Sequence, residues 1–479
     1  MAVNLKGDVP VKTTPAPMQK ALKINLNSNI YGSFSEIGAG QETARIFFRA
    51  GASSGTIAKA MSAYSKEFSD AIYGRETDSR YVTKNRLKKM LKHEINLLEE
   101  RLNRTDFPDR IYFSYANTVA TIDFAKKFKG HGWMGIRFQL NPLEEYNEII
   151  LHVRFHENDA KHQQETLGKM GVNLIYGAFY HHDNPKELLI SLYDHIDKDK
   201  IEIDMINFSG PRFAFVDNRL MSLLLVKNGF TDAVMFGPDG FNLLPADELY
   251  KKNILTLRGS FRPVTKLALD MLEKGLKAFT QEPDVDPKKT DLILEMTLDN
   301  LSNDGDINEK DFLDRVNLLS SLNQMVMVTN FREYYRLSEY FSRFTKERMG
   351  LIIGANHLIK LFDTNYYKHL SGGILEAMGK LLNKKMKLYI YPYKQKNSEE
   401  TITSENIKLD KKMQDLFDYF KHDGKFIDIT DYNKQLLETY TREIIEQIQK
   451  GESQWEKYIP DGIAGNIKKN FLFGYKKRI

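Results

Sequence analysis

The sequence predicts an α/β protein with three parts: a mainly helical N-terminal region, a mixed α/β middle domain, and a C-terminal doubly wound domain on a parallel sheet. Three observations carry this prediction. From Met325 onward, short apolar runs alternate with helical patterns, the order that builds strand–helix–strand units. Between 111 and 236 there are strand-like runs separated by loops and helical stretches. Before them, Leu87, Leu91, Ile95, Leu98 and Leu102 recur at helical spacing, with Lys88, Lys92 and Glu99 off that stripe.

Taken in order, residues 1–17 read as a flexible arm, rich in proline and without periodicity. Residues 18–108 read as the helical region, with Gly/Ala/Ser-rich stretches and an end near Pro108. Residues 109–282 form the expected mixed domain. Its strands are Ile111–Ala116, Trp133–Gln139, Glu148–Phe155, Val172–Phe179, Ile201–Phe208 and Ala233–Phe236. It closes with a strand, a turn Gly259-Ser260-Phe261-Arg262-Pro263, and a helix from Val264 to Phe279. Pro283–Pro287 reads as a hinge, and 283–322 as that hinge plus a helical pair, 288–301 and 309–322. The Rossmann-like domain spans 323–479. Its expected strands are 325–329, 351–354, 387–391 and 426–429, each followed by a helical pattern: 333–344, 374–382, 409–421 and 434–449.

Composition narrows the chemistry. The 479 residues are 42% hydrophobic and 28% charged, ample for large cores. There is no cysteine, which excludes disulfides, thiolate nucleophiles and Cys-ligated zinc. Residues 1–20 lack the apolar core of a secretory signal, and no apolar run approaches the ~18 residues of a membrane helix. A cytoplasmic location with no membrane partner is therefore expected. The net charge of +5 comes from interleaved charges, apart from Lys468-Lys469 and Lys476-Lys477-Arg478 near the end. Nucleic-acid binding is accordingly disfavoured.

The Gly259 turn is the sharpest motif. Glycine lets backbone approach a phosphate, the following helix offers aligned N–H groups, and Arg258 and Arg262 are fork-shaped anion donors. Arg258, Gly259, Ser260 and Arg262 are thus candidate phosphate ligands. Ser371-Gly372-Gly373, which leads a helical pattern, is a second candidate phosphate cradle. A turn that only packs is the competing reading for both. His152, Arg154 and His156 share one strand face, with His162, His181, His182 and Asp183 nearby. His152 and Asp204, the latter near the end of a strand, are the candidate acid–base or metal-binding groups. No metal-ligand spacing is present. Gly51–Thr56 resembles a phosphate loop with the wrong lysine spacing, and Asn300–Asp311 a calcium loop without its closing glutamate. The first reads better as close helix packing through small residues, and the second as a capped helix–turn–helix corner.

The turn also resembles the start of the ATP site in nicotinate-nucleotide adenylyltransferases. Those enzymes continue with x-His-x-Gly-His. Here Thr265, Leu267 and Ala268 hold the corresponding positions. Across nearly its whole length the chain resembles a family of cytosolic bacterial proteins through GSFSEIGAGQETARIFFRAG, SAYSKEFSDAIYG, HGWMGIRFQ, QQETLGKMGVNLIYGAFY, IEIDMINFSGP, VDNRLMSLLLVKNGFTDAV, RGSFRPVT and HLSGGILEAMGK. Its members often carry the label nicotinate-nucleotide adenylyltransferase, which follows from Gly259–Pro263. Some carry the label TonB-dependent receptor, which conflicts with the absence of an export-signal pattern and of barrel-type strands.

Two readings follow. The first is a nucleotide- or phosphometabolite-binding protein, a divergent nucleotidyl or group transferase, with a small phosphorylated molecule as partner and ATP or another nucleotide with magnesium as the candidate cofactor. The alternative is a non-catalytic oligomeric scaffold or regulator, compatible with a homo-oligomer, whose glycine turns only pack. Convergence of the polar groups in one pocket separates the two. The loops carrying Asn330, Asn356 and Ser371 are expected to share one edge, with the ligand between that edge and the Gly259 turn.

Overall fold

The computed structural model describes residues 14–76, 80–102, 104–303, 306–396 and 398–476. Most of the arm expected over 1–17 lies outside these residues, as do Asp304 and Gly305 of the calcium-like loop and Lys477-Arg478 of the basic tail. The chain divides into two compact units, Met1–Thr231 and Asp232–Ile479.

The first unit holds one six-stranded sheet. Its strands are β1 (Ile30–Ile37), β2 (Ile57–Ala63), β3 (Ile111–Ala120), β4 (His131–Phe138), β5 (Asn147–Phe155) and β6 (Ile201–Ser209). They lie in the order β2-β1-β3-β4-β5-β6. The first three are parallel to one another, and β4, β5 and β6 run antiparallel to their neighbours. On one face Phe34, Phe113, Ile136, Leu151 and Val153 pack with Phe47 of the helix Glu42–Ala50 and with Leu167, Met170 and Leu174 of the helix Ala160–Tyr180. The other face receives the helix Lys84–Arg101. Ser114 donates to the carbonyl of Leu91 at 2.9 Å, and a Cβ on Gly135 would stand 3.3 Å from Leu87.

The second unit holds an eight-stranded sheet and two small hairpins. Its strands are β7 (Ala233–Phe236), β8 (Asn242–Leu243), β9 (Asn253–Arg258), β10 (Thr290–Thr297), β11 (Ser302–Asn303), β12 (Asp306–Ile307), β13 (Met325–Thr329), β14 (Met349–Gly354), β15 (Met386–Tyr391), β16 (Tyr393–Lys394), β17 (Thr401–Ile402) and β18 (Phe426–Asp428). The large sheet runs β18-β15-β14-β9-β10-β13-β7-β8. From β18 to β13 all pairs are parallel, and β7 and then β8 extend that edge as antiparallel strands. Within the parallel part the chain starts at β9, steps outward through β10 and β13, then returns to the far side of β9 and continues through β14, β15 and β18. This is the 3-2-1-4-5-6 order of doubly wound dinucleotide-type folds, with its reversal between β9 and β14.

Helices cover both faces of this sheet. Leu337, Tyr340, Phe341, Leu358, Ala377 and Met378 join Leu351, Ile353, Leu388 and Ile390 in one core. On the opposite face Phe279 meets the ring of Tyr389 edge-on at 5.6 Å. Gly275 lies so close to Ile352 that a Cβ would fall 2.4 Å from it. Buried from two sides, these strands read as continuous apolar runs such as Leu351-Ile352-Ile353.

Several expectations are corrected. The α/β class holds, but 18–108 contains β1 and β2 and is not simply helical. The Gly259 turn belongs to the same sheet as the strands beyond residue 323, so no domain boundary falls at 282/283 or 322/323. Strand β10 lies where a helix was expected over 288–301. Conversely, Val172–Phe179 is the second half of the helix Ala160–Tyr180. Short runs buried on every side carry no period, so strand and helix look alike there. The helix expected over 434–449 splits into a 3₁₀ turn at Lys434–Glu438 and a helix at Thr441–Lys450.

Candidate functional site

The Gly259 turn follows β9, the strand at which the sheet order reverses. A cleft of about 260 Å³ opens there. One wall is Arg258 to Phe261 with Thr265 and Ala268, and the opposite wall is Gly354, Asn356 and His357 after β14. Tyr334, Tyr391, Tyr393 and Tyr440 supply an aromatic lining. Ligands of doubly wound folds bind at this place, outside the carboxyl ends of the strands on either side of the reversal.

Local chemistry fixes the turn. The Gly259 amide donates to the carbonyl of Glu295 at 3.0 Å. A Cβ on Gly259 would stand 3.0 Å from the ring of Phe261, which folds back over it. Phe261 itself has φ 45°, a left-handed conformation that costs a bulky residue energy, and its ring is 5% exposed. Thr265 then caps the helix Lys266–Thr280, accepting from the Ala268 amide at 3.2 Å.

Both candidate arginines are engaged. Arg258 grips Glu295 with two nitrogens, at 2.8 and 2.9 Å, and gives a third to the carbonyl of Arg332 at 3.1 Å. Thr329 donates to the same carboxylate at 2.7 Å. The ring of Tyr334 lies 4.2 Å from the Arg258 guanidinium. Burial opposes the charge on Arg258, but Glu295 outweighs it and holds the pKa above its usual value. Arg262 does not line the cleft. Its Nε donates to Asp311 at 2.7 Å, and Asp311 also bonds Arg315, which reaches the carbonyl of Ser260 at 3.0 Å.

Of the other loops expected at this edge, Gly354–His357 joins the cleft. Asn330 donates to Asp232 at 3.3 Å instead, and neither Asn330 nor Ser371 is among the lining residues. In Ser371-Gly372-Gly373 the place of an anion is held by the chain itself. The Gly372 amide donates to the Glu376 carboxylate at 2.9 Å and the Ser371 hydroxyl at 3.3 Å. The Gly372 amide, and after it Lys380, holds the Glu376 pKa below the ordinary carboxylate range.

His152 and Asp204 lie in the first unit and form a buried pair there. Nδ1 of His152 is 2.5 Å from Asp204, and Nε2 is 3.2 Å from Nδ1 of His131. The ring of Trp133 packs at 4.9 Å. His152 is 1% exposed, whereas His131 stands at the solvent edge. Desolvation of its inner side, then His152 and Arg154, push the pKa of His131 down to about 4. Sequence reasoning missed His131, although its place opposite Arg154 on the neighbouring strand follows from the β4–β5 register. It also missed Glu36, near the end of β1. Its carboxyl is buried and pushed up to about 7, while accepting from the Ala44 amide at 2.9 Å and from Asn117 at 3.0 Å.

Magnesium with a triphosphate does not fit the switch-point cleft. Magnesium is usually held by carboxylates together with substrate phosphates, and no Asp or Glu is among the described residues lining the cleft. Elsewhere too, no group of three or more His, Cys, Asp or Glu able to hold a metal ion occurs among the described residues. Among them no helix is long and apolar enough to cross a membrane.

No family model and no curated protein matches the chain. Solved structures do. Plasmodium falciparum nicotinic acid mononucleotide adenylyltransferase complexed with APC is 14% identical, covering 47% of this chain and 98% of that one at a TM-score of 0.31. A competence-damaged protein (CinA) superfamily member from Enterobacter cloacae is 11% identical over 37% of this chain and 98% of that one, at 0.25. The competence/damage-inducible protein CihA from Agrobacterium tumefaciens is 14% identical over 38% and 99%, also at 0.25. At these scores the likeness carries no argument about activity.

Proposed function

We propose that the second unit is a nucleotide- or phosphometabolite-binding module whose ligand lies in the switch-point cleft. One observation carries the reading: a glycine turn follows the first strand of a 3-2-1-4-5-6 sheet and faces Gly354–His357 across the reversal. Backbone at Gly259 and Ser260 would approach the ligand's polar end. The tyrosines would receive a base or another flat ring, because such rings stack on aromatic faces. The pattern Gly-Ser-Phe-Arg-Pro supports kinship with adenylyltransferases in the cradle, and Thr265 and Ala268 set the chain apart from them in chemistry.

A binding or regulatory role without catalysis is the second reading. It is favoured by the engagement of Arg258 with Glu295 and of Arg262 with Asp311, which leaves the turn organised around its own ion pairs. The Asp204–His152 pair remains the candidate acid–base group of the first unit, with His131 added to it.

Mass spectrometry of small molecules that copurify with the native protein tests the proposal. A nucleotide or phosphorylated metabolite should be recovered, and Tyr440→Ala should weaken its binding by about 1–3 kcal/mol, the scale of lost base stacking. Tyr440 is only partly buried, so the fold should persist. Unchanged affinity in that variant would remove the cleft from the reading.

A further inference from the structure

The switch-point cleft is polar without being charged. Among its described lining residues there is one formal cation, Arg258, and neither lysine, aspartate nor glutamate. Arg258 is only 8% exposed at its side chain and is held by Glu295 and the Arg332 carbonyl. Arg262 is turned to Asp311, outside the lining. The remaining polar groups are neutral: Ser260, Thr265, Asn356, Thr439, Thr441 and the tyrosine hydroxyls. His357 adds an imidazole whose pKa burial holds below its usual 6.5, with Lys360 acting the same way.

Charge decides what such a site can take. A triphosphate held within this lining would find neither spare cations nor carboxylates for a bridging magnesium; Arg332, Lys360, Asp299 and Glu333 line the adjoining pocket beyond Tyr334 and His357, outside the cleft itself. Uncompensated burial of charge is the costliest event in binding. Size points the same way. The cleft's roughly 260 Å³ lies just under the ~300–1,000 Å³ typical of pockets for drug-sized ligands.

We infer that, within the nucleotide-site reading on which this rests, the cleft selects a nucleoside or nucleoside monophosphate and discriminates against the magnesium-bound triphosphate. The aromatic lining holds the base, and the hydroxyl and amide groups hold the sugar and at most one phosphate. The unit is then built to retain a product-like or signal-like mononucleotide rather than to activate a triphosphate.

Titration calorimetry on the full chain, with and without magnesium, tests this. Adenosine, AMP and ATP form one series, with matching series for guanosine, cytidine and uridine. For the base that binds, the monophosphate should bind about tenfold or more tighter than the triphosphate. Magnesium should leave the monophosphate affinity unchanged. Thr441→Lys places a cation at an exposed position of the cleft mouth and should move the preference about fivefold or more towards the triphosphate. A triphosphate that binds as tightly as its monophosphate, or a ratio that Thr441→Lys leaves in place, overturns the inference while the site reading stands. Failure of every compound to bind overturns both.

Discussion

Glu295 and Arg258 form a two-pronged ion pair on adjacent parallel strands, with the carboxylate fully buried and the guanidinium nearly so. Thr329 from the next strand completes the carboxylate's bonding. The pair ties the ends of β9, β10 and β13 together directly beneath the Gly259 turn. Breaking a buried pair from one side strands the other charge. Glu295→Leu should therefore cost about 3–5 kcal/mol in urea unfolding. The double variant Arg258→Met/Glu295→Leu should recover most of that loss. A single variant as stable as the parent would show that the pair is not the tie described.

Arg262 should matter little to the ligand. It lies outside the cleft lining, and its partner Asp311 keeps a second guanidinium in Arg315. Arg262→Ala is expected to change nucleotide affinity by less than about twofold and stability by no more than about 1 kcal/mol, as for other partly exposed pairs. Calorimetry of binding and thermal melting read the two effects separately. A large loss of affinity would return Arg262 to the site.

Stability should respond to pH through Glu36. Its carboxyl titrates near 7 in the folded protein, against a reference of 4.5, because burial penalises the charged form. The folded state therefore binds more protons than the unfolded state between those values, and stability falls as pH rises from about 4.5 to 7. The size of the effect is about 3 kcal/mol. Glu36→Gln removes the titration, and Asn117, whose Oδ1 has no partner, can turn its amide to accept from the new side chain. The variant should lose that slope and melt higher than the parent at pH 8.

Dinucleotide synthesis from nicotinate mononucleotide and ATP should not proceed at an enzyme-like rate. Thr265 and Ala268 bring no charge to a transferring phosphoryl group, and charge stabilisation of that kind is usually the largest catalytic contribution. Pyrophosphate release above the buffer rate, dependent on magnesium and on both substrates, would contradict this.

Much of the second unit was legible because its chemistry is local. Gly259–Pro263 between an apolar run and a helical pattern is written in consecutive residues, and so is the alternation after Met325. What escaped was non-local or lacked periodicity. In β1 the strand-favouring Ile30, Tyr31, Phe34 and Ile37 are interrupted by Gly32, Ser33 and Ser35, and pairing with β2 and β3 settles it as a strand. β10 reads Leu-Ile-Leu-Glu-Met, good helix formers placed in a strand by their neighbours. The engagement of Arg258 was invisible for the same reason, since its partner lies 37 residues on and meets it only through the β9–β10 register. The His131–His152–Asp204 chain likewise exists only once three strands are laid side by side.

The hydroxyl of Thr265 closes the first turn of the helix behind the cleft, and the amide it receives is that of Ala268. The two positions at which adenylyltransferases carry histidine are thus joined here in a single structural bond. Imidazole is a poor substitute for a threonine cap, whose loss costs about 0.5–2 kcal/mol. Histidine at 265 would weaken the start of the helix that presents it. Position 265 can serve either as a helix cap or as a charge donor at the turn, and in this chain the cap has it.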